Sequence, residues 1–133
     1  MNTLLENHPN LPDFVHVFHI EDHEYYKPRL LELIERMKEV NNIQLNKEGY
    51  YYDYNIENSR TYKPLFESLA YPYAVELGEK YGLKLDRSRL PKLWFQQYYK
   101  HSSHGWHQHN GHWALVYYLE LPEMLEATEF LNY

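Results

Sequence analysis

Histidine is concentrated in one short segment of this chain, and its spacing there is typical of metal binding. The chain contains nine histidines, five of which fall between His101 and His112. Neutral imidazole is the commonest side-chain metal ligand in proteins. His107 and His109 are two residues apart, so on an extended segment both rings project from one face and can reach one ion. Zinc, iron, copper and nickel all accept imidazole, so the pair alone leaves the metal open.

The other three histidines of the segment have a weaker case as ligands. His101, His104 and His107 are spaced by three, which would line one face of a helix. The two serines and the glycine among them argue against a helix at this point. We therefore expect structural or substrate-lining roles for His101, His104 and His112. A solvated or hydrogen-bonded cluster of all five remains the competing interpretation.

Two apolar segments flank the histidines and would position them as a loop between strands. Hydrophobic periodicity predicts two earlier helices, with Pro72 kinking or splitting the second and Gly82 ending it. Residues 41–60 are expected to form a short strand or an ordered loop. Helices followed mostly by strands indicate an α+β fold, with N-terminal helices packed on an antiparallel sheet. The predicted helices are Pro28–Val40 and Pro64–Tyr81, and the predicted strands are Phe14–Ile20, Leu93–Tyr99, Trp113–Leu121 and Ala127–Leu131.

Length and composition exclude several classes of protein. The 133 residues suit a single domain, and the absence of cysteine excludes disulfides, thiolate metal sites and a thiol nucleophile. A net charge of −6 argues against a nucleic-acid partner held through phosphate contacts. No apolar run has the length of a membrane span, and the first residues lack the pattern of a signal peptide. We therefore expect a cytoplasmic protein with no membrane partner.

The residues around the pair also resemble a known enzyme family. Tyr98 lies nine residues before His107, the pair continues to His109, and the strand-like residues 116–119 (VYYL) follow. Pro122 and residues 128–130 (TEF) complete the pattern. This spacing resembles the Fe(II)- and 2-oxoglutarate-dependent oxygenases of the prolyl-hydroxylase type, especially phage and marine-bacterial members. The resemblance covers residues 93–131 firmly and the earlier residues loosely.

The resemblance implies a cofactor, a cosubstrate and the residues that hold them. His107 and His109 would bind Fe(II), with His109 in place of the aspartate that is usual in the family, and that replacement raises the charge of the iron site by one. Tyr118 and Tyr98 would contact 2-oxoglutarate, the small-molecule cosubstrate. The primary substrate stays unknown.

The resemblance also implies a partial double-stranded β-helix, a cupin-like jelly roll. Residues 1–90 would form its helical N-terminal region and residues 91–133 its first strands. The family's distal histidine, and its arginine or lysine that binds 2-oxoglutarate, belong to strands later than Tyr133. We therefore expect an N-terminal portion of such an oxygenase, or a chain that pairs its open strand edge with another chain in an oligomer.

Two alternatives stay open beside the oxygenase. The first is a non-catalytic or degenerate jelly-roll binding module, whose strands form a partner surface. The second is a cupin-type metalloenzyme with three histidine ligands, in which His104 or His112 joins the pair.

Overall fold

Helices and short antiparallel strands alternate along the chain. The computed structural model describes residues 5–6, 10–56, 60–84, 92–99, 102–109, 113–121 and 128. This mixture agrees with the predicted α+β class, and among these residues the strands form two two-stranded sheets and no jelly roll. Neither described helix is long and apolar enough to cross a lipid bilayer. The elements are β1 (Leu5–Glu6), β2 (Val17–Phe18), α1 (His23–Val40), β3 (Tyr50–Tyr52), α2 (Lys63–Lys80) and β4 (Gln96–Tyr98).

Helix α1 begins five residues before the predicted start at Pro28. A proline inside a helix removes one hydrogen bond to the carbonyl four residues earlier. That carbonyl belongs to Glu24, an exposed residue where water can replace the missing donor. The predicted apolar stripe is confirmed at Leu30, Ile34 and Met37, all of which are buried in the core.

Helix α2 follows its predicted bounds to within one residue and is not split at Pro72. The carbonyl left without a backbone donor belongs to Ser68, which is exposed and accessible to water. Leu69 and Leu77 face the core as predicted, and the small side chains of Ala70 and Ala74 are buried beside them.

Both helices end in the same Schellman arrangement. At the end of α2, Leu83 N donates to Gly78 O at 2.7 Å, and Gly82 N donates to Glu79 O at 3.1 Å. Gly82 has a φ of +67°, the left-handed conformation that this cap requires. At the end of α1, Asn42 takes the same place with a φ of +50°. The predicted stop at Gly82 is confirmed.

The strands are shorter than the sequence suggests. Of the predicted strand Phe14–Ile20, only β2 is regular, and it pairs antiparallel with β1. Strand β3 lies in the tyrosine-rich residues 41–60, where a short strand or a loop was predicted. It pairs antiparallel with β4, the regular part of the predicted strand Leu93–Tyr99.

The prediction of a strand at Trp113–Leu121 is wrong. Residues 113–121 belong to neither sheet and contain a bend at Leu119, and most of their side chains are exposed. Only Tyr117 and Leu119 pack against the core. His23 Nδ1 and the Tyr117 hydroxyl lie 2.5 Å apart, so side-chain contacts tie this segment to α1. The predicted strand Ala127–Leu131 lies outside the described residues except for Thr128.

A buried carboxylate joins β3 to α2 and to the chain entering β4. Asp53 is fully buried, and its side chain accepts hydrogen bonds from the Tyr62 hydroxyl (2.6 Å), the Phe95 N–H (2.9 Å) and Arg60 Nε (3.1 Å). Arg60 Nη2 also donates to the Asp53 carbonyl at 2.8 Å. Burial, followed by the Asp53 carboxylate, raises the pKa of Tyr62. This network fixes the start of β4, and through it the histidine segment that follows.

Candidate functional site

The histidine segment is attached to the β3–β4 sheet through its first residues. Tyr99 N donates to Gly49 O at 3.0 Å, and Ser102 N donates back to Tyr99 O at 3.0 Å. Gly49 has a φ of +89°, and a Cβ built on it would lie 3.0 Å from Ser102 Cβ. Only glycine therefore permits the turn before β3 to approach the chain so closely. The described residues 102–109 contain no helix, as the sequence predicts.

His107 and His109 are brought together as the sequence predicts. Their Nε2 atoms are 3.2 Å apart, and the ring centroids lie 4.9 Å apart at 75°. His107 Nδ1 donates to Gly105 O at 2.8 Å, because a carbonyl can only accept. A neutral His107 therefore carries its proton on Nδ1 and presents the Nε2 lone pair towards His109. Both rings are exposed.

The separation of the two nitrogens suits a shared metal ion. With metal–nitrogen bonds of about 2.0–2.1 Å, two ligand nitrogens lie about 2.8–3.0 Å apart at a right angle and about 3.3–3.4 Å apart in a tetrahedron. The observed 3.2 Å falls between these values. The bond from His107 to Gly105 is also the kind of outer contact that orients metal-binding histidines. The same separation suits a direct hydrogen bond in which His109 Nε2–H donates to His107.

His104 lies against the pair without joining it as a third ligand. Its ring stacks on His107, with centroids 4.2 Å apart and 16° between the planes. An ion lies close to the plane of each imidazole that binds it, so one ion cannot lie in two parallel planes. Within the described part of the chain, no three His, Asp or Glu side chains are arranged to hold a metal ion. His101 and His112 lie outside the described residues.

The surroundings of the His104 ring disfavour its charged form. Loss of water around the ring, followed by the charges that His107 and His109 carry when protonated, lowers the pKa of His104, and Glu48 opposes this effect. The ring centroid of Tyr50 lies 5.7 Å from that of His104.

The two tyrosines that the resemblance assigns to the cosubstrate have hydrogen-bond partners within the protein. The Tyr98 hydroxyl donates to Gln96 Oε1 at 2.7 Å. Burial, followed by the neighbouring Tyr50 and Tyr118, raises the pKa of Tyr98, so its hydroxyl stays a donor. The Tyr118 hydroxyl shares a hydrogen bond with Thr128. A cosubstrate would have to displace or add to these bonds.

No protein-family model, curated protein or solved structure matches the chain. The interpretation of the site therefore depends on its own geometry and on the spacing of its residues.

Two side chains beside the pair were not singled out by the spacing argument. The ring centroid of Trp94 lies 6.2 Å from that of His109, with 31° between the ring planes. Gln96 Nε2 lies 3.4 Å from His104 Nδ1. Both residues lie in or next to β4. In the sequence, only their place in a predicted strand close to the histidines pointed to them.

Proposed function

We propose that this chain is an Fe(II)- and 2-oxoglutarate-dependent oxygenase, or an N-terminal portion of one, in which His107 and His109 bind the metal. The observation that carries the metal site is the 3.2 Å separation of the two Nε2 atoms, with the His107 proton held on Nδ1 by Gly105. The oxygenase class comes from the spacing of Tyr98, the pair and residues 116–119. The proposal includes the partial jelly roll and a third ligand from outside the described residues.

The charge of the proposed site supports an anionic cosubstrate. Two neutral imidazoles leave the full charge of a divalent ion in place, whereas a carboxylate at position 109 would remove part of it. A chelating dicarboxylate such as 2-oxoglutarate is therefore favoured at the remaining positions. When bound, Fe(II) and 2-oxoglutarate would supply the oxidising chemistry that hydroxylates a substrate.

The chain's own residues would bind and orient these groups. His107 is pre-oriented by Gly105, so less freedom is lost on binding an ion than for an unrestrained imidazole. The Trp94 ring lies beside His109, with the ring centroids 6.2 Å apart. The hydroxyl groups of Tyr98 and Tyr118 would donate hydrogen bonds to carboxylate oxygens of the cosubstrate.

The test combines metal binding with turnover. We expect the purified chain to bind Fe(II) under anaerobic conditions, to develop a visible charge-transfer band with 2-oxoglutarate, and to form succinate when oxygen is admitted. The double variant His107→Ala/His109→Ala should lose all three properties. The matched control is His19→Ala, which removes an exposed histidine outside the segment and should retain them. Metal binding unaffected by the double variant, or no band and no succinate from the wild type, contradicts the proposal.

A non-catalytic binding module is the second candidate, and exposed aromatic side chains favour it. Tyr99 is 66 % exposed and Trp106 is 63 % exposed, on the same segment as the histidines. Large exposed apolar side chains that form a patch are typical of interaction surfaces. A metal-free stable oligomer, measured by light scattering and unaffected by the double histidine variant, would support this module and the predicted pairing through a strand edge.

A further inference from the structure

Two aromatic rings contact the ring of His104. It stacks on His107 with 16° between the planes, and the Tyr50 ring lies 5.7 Å away at 36°. Tyr50 is buried and belongs to β3, so it is a fixed surface. The stack therefore connects His107, which lies on an exposed segment, to the sheet.

A hydrogen-bonded chain fixes the same ring at its edge. The Tyr98 hydroxyl donates to Gln96 Oε1 at 2.7 Å, which directs the amide NH2 group of Gln96 away from Tyr98. That NH2 group lies 3.4 Å from His104 Nδ1 and makes a long hydrogen bond to it. Because Nδ1 accepts, neutral His104 carries its proton on Nε2 and has no free lone pair for an ion.

We propose that His104 is a positioning residue for His107 rather than a metal ligand. It fixes the rotation of the His107 ring, so that Nδ1 reaches Gly105 O and Nε2 faces His109. This inference depends on the proposed metal site at His107 and His109. Residues that orient a metal-binding histidine typically change metal affinity about 10- to 100-fold when they are removed.

Two replacements of His104 test this role, because one removes the whole ring and the other keeps a flat ring without nitrogen atoms. We expect His104→Ala to weaken binding of Zn²⁺ or Co²⁺, measured by calorimetry, about 10-fold. His104→Phe keeps a flat ring against His107 and should bind within about threefold of the wild type. The absorption spectrum of bound Co²⁺ should be the same in His104→Phe and the wild type, because the ligands are unchanged. Loss of affinity in His104→Phe equal to that in His104→Ala would show that a ring nitrogen binds the ion and would overturn the inference. Unchanged affinity in His104→Ala would overturn it as well.

A second measurement tests positioning without any metal ion. Nitrogen-15 chemical shifts of the imidazole rings report which nitrogen carries the proton. We expect His107 to be protonated on Nδ1 in the wild type and in His104→Phe, and to become a mixture of both tautomers in His104→Ala. His19→Ala is the control. If the wild type binds no ion, the proposed metal site is refuted. The tautomer of His107 then still shows whether His104 orients the His107 ring. An unchanged tautomer in His104→Ala overturns the inference.

Discussion

Removing the buried carboxylate of Asp53 is the most informative perturbation of this fold. Asp53→Ala takes away the acceptor of three hydrogen bonds, from the Tyr62 hydroxyl, the Phe95 N–H and Arg60 Nε. Tyr62 and Phe95 are buried, and the side chain of Arg60 is 16 % exposed. The donors left behind therefore have little access to water.

The cost follows from these contacts. Removing one partner of a buried ion pair costs about 3–5 kcal/mol, because the remaining charge and donors stay desolvated. We expect Asp53→Ala to lower the free energy of unfolding by about 4 kcal/mol, a large share of the roughly 5–15 kcal/mol that a domain has. With an unfolding entropy of about 2.1 cal/mol/K per residue over 133 residues, Tm should fall by about 14 °C.

Thermal and urea unfolding followed by circular dichroism measure this loss. The matched control is Glu32→Ala, which removes a carboxylate from an exposed ion pair with Arg36 and should cost less than about 0.5 kcal/mol. Asp53→Asn keeps an acceptor for the Phe95 N–H and serves if Asp53→Ala does not fold. The reasoning is refuted if Asp53→Ala loses less than about 1 kcal/mol, or no more than Glu32→Ala does.

Three further outcomes are expected. Gly82→Ala should lower the free energy of unfolding in urea by about 1 kcal/mol, because alanine is strained at a left-handed φ. It should keep its metal affinity, because a Cβ at this position meets nothing within 4 Å. Gly49→Ala should lose at least as much stability, and calorimetry should show weaker Zn²⁺ binding, because the added Cβ displaces Ser102. Equal Zn²⁺ affinities in the two glycine variants would contradict this expectation. The raised pKa of Tyr62 keeps its phenol protonated in the folded state after the unfolded state ionises near pH 10. Wild-type stability should therefore fall above pH 10 by up to about 1.4 kcal/mol per pH unit relative to Tyr62→Phe, whereas parallel pH profiles would exclude this linkage.

The helices were predictable because their burial follows a repeat that is visible in the sequence. Leu30, Ile34 and Met37 lie on one face of α1 whatever the rest of the chain does. The start of α1 was not predictable from Pro28, because a helix tolerates proline where water can hydrogen-bond to the exposed carbonyl that loses its backbone donor. The prediction of a strand at Trp113–Leu121 was wrong for a different reason. An apolar run does not specify whether a neighbouring strand is present to pair with it.

The candidate site was predictable in its central pair and not in its surroundings. A spacing of two residues is enough to place His107 and His109 on one face of an extended segment. The tautomer of His107 depends on the carbonyl of Gly105, and the stacking of His104 depends on contacts with the sheet. Asp53 was not identified, since its partner Phe95 lies 42 residues away and a single carboxylate among tyrosines resembles a surface residue.

The pairing of β3 with β4 has a consequence for the order of folding. More than forty residues separate Tyr52 from Gln96, its partner in the sheet, and α2 lies between them. Closing a flexible loop of that length costs about 3 kcal/mol in chain entropy, and α2 must shorten it before the pairing becomes favourable. The helices, whose contacts are local, should form first. Because the histidine pair is positioned from this sheet, we expect it to assemble late, so metal uptake during refolding would lag behind the recovery of helix.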